Sequence, residues 1–367
     1  MASAAALEPD VRAAPASKLW RPRRVMATPA ALDWEHGRAI VERAVGLGAE
    51  LVRLKANRLT GLTGEDARRA YIDAKGTLAV VVAPPTKLRL QPIPPSADWR
   101  VDLAEGCPAH CQYCYLAGSL QGPPVTRAYA NLPEILGALD GFVGRGTITS
   151  GTQARGREGT TFEASCYTDP LGIEHLTGSL SAAIRRFGAW EADVQLRFTT
   201  KFDAVEPLLG LPHNRRTRMR VSVNAQPALR FEGGTASLKR RLRAMRQMAL
   251  AGYRVGLTIA PIMPLEGWRE AYGTLLAAAA EALEGAPDPD LTVELITHRF
   301  TPGSKEVLQG WYPGSSLDMD EATRSQKRTK FGSLKFVYTP DVMREMRAFF
   351  EEAVPRLLPQ GRILYWT

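Results

Sequence analysis

Three of the four cysteines in this 367-residue chain stand within eight positions, in Cys107-Pro-Ala-His-Cys111-Gln-Tyr-Cys114. Thiolates are metal ligands, and three of them can hold three irons of a cubane while the fourth iron keeps no protein ligand. That open iron is a seat for a small chelating molecule, and oxygen-sensitive electron chemistry at it is the first activity the spacing suggests. A zinc site is the competing reading: structural zinc wants four closed ligands, the chain lacks a second cysteine pair, and His110 is the residue at hand for the fourth place. A disulfide framework does not fit, because Cys166 alone remains outside the triad.

The elements that must position these residues alternate along the chain. Short apolar stretches at 99–103, 161–165, 194–199, 220–223, 255–260 and 291–297 read as strands. Helical runs lie among them at 172–187, 237–251 and 268–283. Such alternation is the signature of parallel βα units, and six units make a partial, TIM-like (β/α)6 barrel, short of the eight that close a full one. The triad follows the first of these strands and Cys166 ends the second, so both open at the carboxyl face, where α/β active sites sit. An unpaired cysteine on an apolar strand is ordinarily a buried structural thiol, which is the alternative for Cys166.

The remaining organisation follows from composition. Residues 1–30, rich in Ala, Pro and Arg, read as a flexible tail, and 31–95 as an N-terminal α/β region with a strand at 78–83. The partial barrel is expected over 96–300, and 301–367 as a C-terminal segment with a β-hairpin around Gly332-Ser333, a helix from Asp341 and a strand at 362–366. The net charge of +9 suggests a polyanionic partner, although an arginine excess can also be compositional bias. No apolar run has membrane-spanning length and no signal-peptide block is present, so the chain reads as cytoplasmic, with no membrane partner.

The CxxxCxxC spacing after a strand resembles the radical S-adenosylmethionine superfamily. Reading outward, the resemblance narrows to the spore photoproduct lyase family. It rests on Cys107-Pro-Ala-His-Cys-Gln-Tyr-Cys-Tyr-Leu116, on Phe162-Glu-Ala-Ser-Cys-Tyr-Thr-Asp169 with Gly172-Ile-Glu-His-Leu-Thr177, and on Arg197-Phe-Thr-Thr-Lys-Phe202. Val221-Ser-Val-Asn224, Ala260-Pro-Ile262, Glu266-Gly-Trp268 and His298-Arg-Phe300 continue it. The resemblance implies a 4Fe-4S cluster on Cys107, Cys111 and Cys114, with S-adenosyl-L-methionine bound near Thr168, Lys201, Ser222 and Asn224. It implies repair of a methylene-bridged thymine dimer in DNA, with Cys166 as hydrogen donor and Tyr113 and Tyr115 as the radical return path. A low-potential electron donor such as flavodoxin or ferredoxin is the implied partner, and a monomer the expected state. A solvated lysine at a strand end is the bland alternative for Lys201, and packing aromatics for the two tyrosines.

Two basic features invite DNA. The helix around Lys239-Arg-Arg-Leu-Arg-Ala-Met-Arg246 carries five cations, a pattern that ordinarily serves solvation. In the hairpin, Arg324, Lys327, Arg328, Lys330 and Lys335 surround Phe331, joining phosphate attraction to a ring that can wedge between bases. Two other readings stay open: a radical enzyme of the same architecture acting on another lesion or modified base, and a nucleic-acid-binding protein whose cysteines hold a structural metal.

Overall fold

The computed structural model describes residues 17–62, 66–119, 122–328, 332 and 334–367. Seven parallel strands follow one another in chain order across its main sheet: β1 Ala97–Val101, β2 Thr160–Ala164, β3 Val194–Thr200, β4 Thr217–Val223, β5 Arg254–Ile262, β6 Thr292–Thr297 and β7 Arg362–Trp366. Gln91–Ile93 runs antiparallel along the β1 edge. The expected partial barrel is present, and the strand at the carboxyl end of the chain adds a seventh stave by pairing parallel with β6. Parallel strands are covered on both faces and therefore read as nearly continuous apolar runs. In β4 all seven residues are buried. Amphipathic helices cover the outer face; Leu238–Leu250 turns Leu242, Met245 and Ala249 inward from successive turns.

One expected helix is broken. The run at 172–187 divides into Glu174–Thr177 and Ser179–Ala189, because Gly178 takes the left-handed conformation at φ +64°. The Glu174 carboxylate then accepts the backbone N–H groups of Leu180 and Ser181, both at 2.9 Å, satisfying donors at the new helix start.

The N-terminal region forms a second, five-stranded sheet in the order Glu50–Arg53, Arg24–Ala27, Thr77–Val81, Thr126–Tyr129, Ala104–Glu105. This corrects the tail expected over 1–30. Arg24–Ala27 lies inside that sheet, paired on both sides, with Val25 and Ala27 fully buried. Four residues are too few to show a period, and the surrounding arginines and prolines mask the apolar run. Residues 1–16 of the expected tail lie outside the described residues. Towards the carboxyl end come the helix Pro302–Trp311, a hairpin of Ser325–Arg328 against Leu334–Val337, and the helix Pro340–Leu357. Among the described residues no helix is long and apolar enough to cross a membrane.

β1 is tied to the loop before β2 through Asp98. Its carboxylate accepts backbone N–H bonds from Ile148, Thr149 and Thr161 and hydroxyl bonds from Thr149 and Ser150. Burial raises its pKa, but these hydrogen bonds outweigh burial and hold it at about 2. Because the folded value is depressed, the stabilisation is present in full above the ordinary carboxylate range and fades as pH falls towards 2. Asp98→Asn is expected to lower stability by about 1–3 kcal/mol at neutral pH, the penalty for buried donors left without an acceptor. Thermal unfolding of both proteins from pH 7 to pH 3 should show that deficit shrinking as the solution is acidified.

Candidate active site

Beyond β1 the chain turns through Gly106 into the cysteine loop. Gly106 sits at φ +74°, and a Cβ there would lie 2.1 Å from the Val125 carbonyl oxygen, so a side chain would close this turn. A two-residue antiparallel ladder holds the loop from its far side, with Cys111 opposite Glu232 and His110 opposite Gly233. The Gln112 N–H adds a bond to the Phe231 carbonyl at 2.9 Å. Cys107, Cys111 and Cys114 are all free and line one cavity of about 400 Å³ at the carboxyl end of the barrel. Burial pushes the Cys107 thiol up to about 12 and the Cys111 thiol up to about 11, so the thiolate form there needs a cation beside it.

Among the described residues no three His, Cys, Asp or Glu side chains are gathered as around a single metal ion. A cubane makes no such demand, since it spreads its cysteines over separate irons. His110, the alternative fourth zinc ligand, has Nδ1 2.8 Å from the Tyr71 hydroxyl. Three unpaired thiols on one loop, facing one cavity, fit an iron–sulfur cluster with an open iron.

Cys166 lines the same cavity from the end of β2. The residue before it, Ser165, takes the left-handed conformation at φ +54°, unusual for a side-chain-bearing residue. Ser165 is pinned there by its own N–H on the Val101 carbonyl at 2.6 Å and by the Leu103 N–H on its hydroxyl at 3.0 Å. Burial raises the Cys166 thiol well above the usual range, which keeps the S–H intact at neutral pH. The Tyr115 hydroxyl donates to the Cys166 carbonyl, and Tyr115 itself is 59% exposed at the cavity mouth. On the other side of Cys114, the Tyr113 hydroxyl donates to Glu232.

Of the four residues expected to contact the cofactor, three line the cavity. Thr168 has its hydroxyl oxygen buried without a hydrogen-bond partner, an opening for a ligand. Ser222 lines the wall from β4. Lys201, just beyond β3, is held by its N–H on the Asp169 carboxylate at 2.7 Å, and its ammonium donates to the Tyr113 hydroxyl and to Glu232, both at 2.6 Å. Asn224 does not face the cavity. It is fully buried, donating to the Pro261 carbonyl at 2.8 Å and accepting from the Tyr272 hydroxyl at 2.9 Å, so its amide is spent on joining β4 to β5 and the neighbouring helix.

A family model described as spore photoproduct lyase matches residues 20–367. The chain belongs to the spore photoproduct lyase family. The spore photoproduct lyase of Geobacillus sp. (strain Y412MC61) is 38% identical to it over 348 residues, 94% of this chain and 98% of that protein. That of Bacillus subtilis (strain 168) is 36% identical over 349 residues, with the same coverage. Among solved structures, a mutant spore photoproduct lyase with bound AdoMet and dinucleoside spore photoproduct aligns at a TM-score of 0.87. It is 36% identical, and the match covers 95% of this chain and 100% of that one.

In this family member the basic features divide. The cations of Leu238–Leu250 are largely structural: Arg241 is buried, with Nη1 2.6 Å from the Glu232 carboxylate, Arg240 pairs with Asp203 at 2.5 Å, and Arg246 donates to the Ala282 and Glu284 carbonyls. Arg324, expected in the basic ring of the hairpin, is buried instead, with its guanidinium 3.8 Å over the Tyr338 ring. Lys327 and Arg328 are exposed on the first hairpin strand, whereas Lys330 and Phe331 lie outside the described residues. The hairpin is seated on the barrel by Phe336 stacking on Phe300 at 5.3 Å.

Sequence reasoning missed the floor of the cavity. Arg220 pairs there with Glu294 at 2.7 Å and with Glu163, and donates to the Ser96 hydroxyl at 2.7 Å. The signal was available: Glu163, Arg220 and Glu294 each interrupt an apolar strand of a sheet covered on both faces, so each charge must point into the barrel and find a partner. Glu232 had no comparable signal, because its run reads as an ordinary loop.

Proposed function

We propose that this protein is a DNA repair lyase that reverses spore photoproduct, 5-thyminyl-5,6-dihydrothymine, to two thymines, with Cys166 as the hydrogen donor. When bound, the 4Fe-4S cluster and S-adenosylmethionine supply a 5′-deoxyadenosyl radical. Lys201, with the hydroxyls of Thr168 and Ser222, would hold the cofactor's polar groups against Cys107, Cys111 and Cys114. Once hydrogen is removed from C6 of the bridged thymine, the bridging C–C bond breaks and leaves a product radical. Cys166 gives that radical its S–H hydrogen and becomes a thiyl. Tyr115 and Tyr113 would then relay a hydrogen atom to the thiyl, drawn in the end from the 5′-deoxyadenosine formed in the first abstraction, so that the thiol is restored and the radical passes back towards the cofactor. Lys327 and Arg328, with Lys330 and Phe331, would steer the DNA backbone and help to extrude the lesion. A low-potential flavodoxin or ferredoxin would supply electrons, to a monomer in the cytoplasm.

The observation that carries the reading is the placement of Cys166: it shares one cavity with the three loop cysteines, and the Tyr115 hydroxyl rests on its carbonyl. The test is anaerobic incubation of the reconstituted protein with dinucleotide spore photoproduct, S-adenosylmethionine and dithionite. Repaired thymidylyl-thymidine is expected by chromatography. Release of 5′-deoxyadenosine without repair would move the substrate to another lesion or base, and stoichiometric zinc with no deoxyadenosine would sink the radical reading.

A further inference from the structure

The helix Ala67–Lys75 belongs to the N-terminal sheet rather than to the barrel, yet two of its side chains one turn apart reach the cysteine loop. Lys75 is only 7% exposed, and its ammonium donates to the backbone carbonyls of Cys107, at 2.5 Å, and of Ala109. Tyr71 places its hydroxyl against His110 Nδ1 and against the Tyr312 hydroxyl, and its ring stacks on Trp311 at 4.8 Å. That ring lies 5.7 Å from the Lys75 ammonium and closes it off.

A buried ammonium is unfavourable unless an anion answers it. Elsewhere in the described structure that rule holds. Arg155, Arg197, Arg218, Arg220, Arg241 and Arg324 are all buried, and each is ion-paired with a carboxylate. Among the described residues Lys75 alone of the buried cations has only carbonyl partners, and no carboxylate comes within 4 Å of it. What its ammonium does reach is the backbone of the cysteine loop itself, at the first of the three cysteines and two residues beyond it.

We propose that Lys75 is the built-in counter-ion of the cysteine-ligated cluster, clamping the loop through two carbonyls and favouring the reduced state by its charge. The inference rests on the radical S-adenosylmethionine reading above. Each thiolate brings negative charge to the cluster and reduction adds an electron, so a fixed cation in a dry site stabilises the reduced form more than the oxidised one. Lys75 is thus a positioning residue, and the N-terminal region that carries it is part of the redox centre.

Lys75→Gln keeps a donor for the carbonyls and removes the charge; Lys75→Arg keeps the charge. For each full-length protein, iron and sulfide are counted after reconstitution, the midpoint is read by electron paramagnetic resonance in a dye-mediated titration, and the metal-free protein is melted. Lys75→Gln is expected to load iron and to titrate at a more negative potential. At the wild-type midpoint its reduced-to-oxidised ratio should fall about tenfold, equivalent to about 59 mV for one electron. Lys75→Arg is expected to stay near wild type. The metal-free Lys75→Gln protein is expected to melt no lower than metal-free wild type, because without a cluster the ammonium is an uncompensated burden. A metal-free variant that melts lower or does not fold overturns the proposal by making Lys75 a prop of the fold, as does a loaded variant with an unmoved midpoint. Failure of the wild-type protein itself to assemble an iron–sulfur cluster would instead overturn the underlying enzyme reading.

Discussion

Cys166→Ala is expected to go on consuming spore photoproduct while the yield of repaired thymidylyl-thymidine falls by about a hundredfold or more, the scale on which a missing transfer residue is felt. The steps before Cys166 do not need its sulfur. In the proposed reaction, hydrogen abstraction and fragmentation of the bridge would depend on the loop cysteines and on Lys201, and Lys201 bonds Asp169, Tyr113 and Glu232 rather than the Cys166 side chain. The product radical would then persist in a cavity lined in part by the exposed Tyr115, and would react with whatever donor reaches it. Mass spectrometry of the dinucleotide pool should find adducts in place of the repaired product. Cys166→Ser is expected to behave like the alanine variant, because an O–H bond is too strong to give up its hydrogen to a carbon radical. Clean repair by either variant would remove Cys166 from the mechanism.

How legible such a site is depends on where its residues lie in the chain. The triad could be read directly, because its three ligands share one loop and their spacing is the geometry. Cys166 and Lys201 could be read one level up, since βα alternation puts strand ends at one face whatever the loops between them do. Lys75, Tyr71 and Glu232 could not. They reach the same loop from a helix of the other sheet and from a two-residue ladder, and nothing in a linear sequence records a contact made by folding one region over another. Asn224 is placed differently from the other three. The resemblance points to it as a cofactor contact, and one residue beyond β4 its amide bonds Pro261 and Tyr272.

The basic helix teaches a related lesson. Arg241 falls on the same stripe as Met245 and Met248, so its helical position argues for burial while its charge argues for solvent. Burial wins because Glu232 is there to receive it. Net charge therefore overstates the number of cations at the surface, and among the described hairpin residues Lys327 and Arg328 are the cations exposed on its first strand.

Arg220→Met is expected to destabilise the protein by about 3–5 kcal/mol, because breaking a buried ion pair strands the partners as uncompensated charges. Arg220 is 2% exposed, and Glu163 and Glu294, 3% and 1% exposed, face it from β2 and β6. The triad thus links staves on either side of β4 across the barrel interior. A methionine of similar length would leave two anions and the Ser96 hydroxyl without their shared donor. The pH dependence has a definite sign. Burial raises the Glu294 pKa, but the charges of Arg220 and Arg197 outweigh it and hold the group below its ordinary value. That contribution is present above the ordinary glutamate range and is lost as pH falls through the lowered value. In the variant the stranded carboxylates would take up protons instead, so the deficit should be largest near pH 7 and should narrow on acidification. Urea unfolding at neutral and at acidic pH measures it directly. Adding Glu163→Gln and Glu294→Gln to Arg220→Met removes the stranded charges and should restore part of the loss. An Arg220→Met protein as stable as wild type would mean that the barrel is held by its apolar staves alone, and that its charged floor exists for the ligand above it.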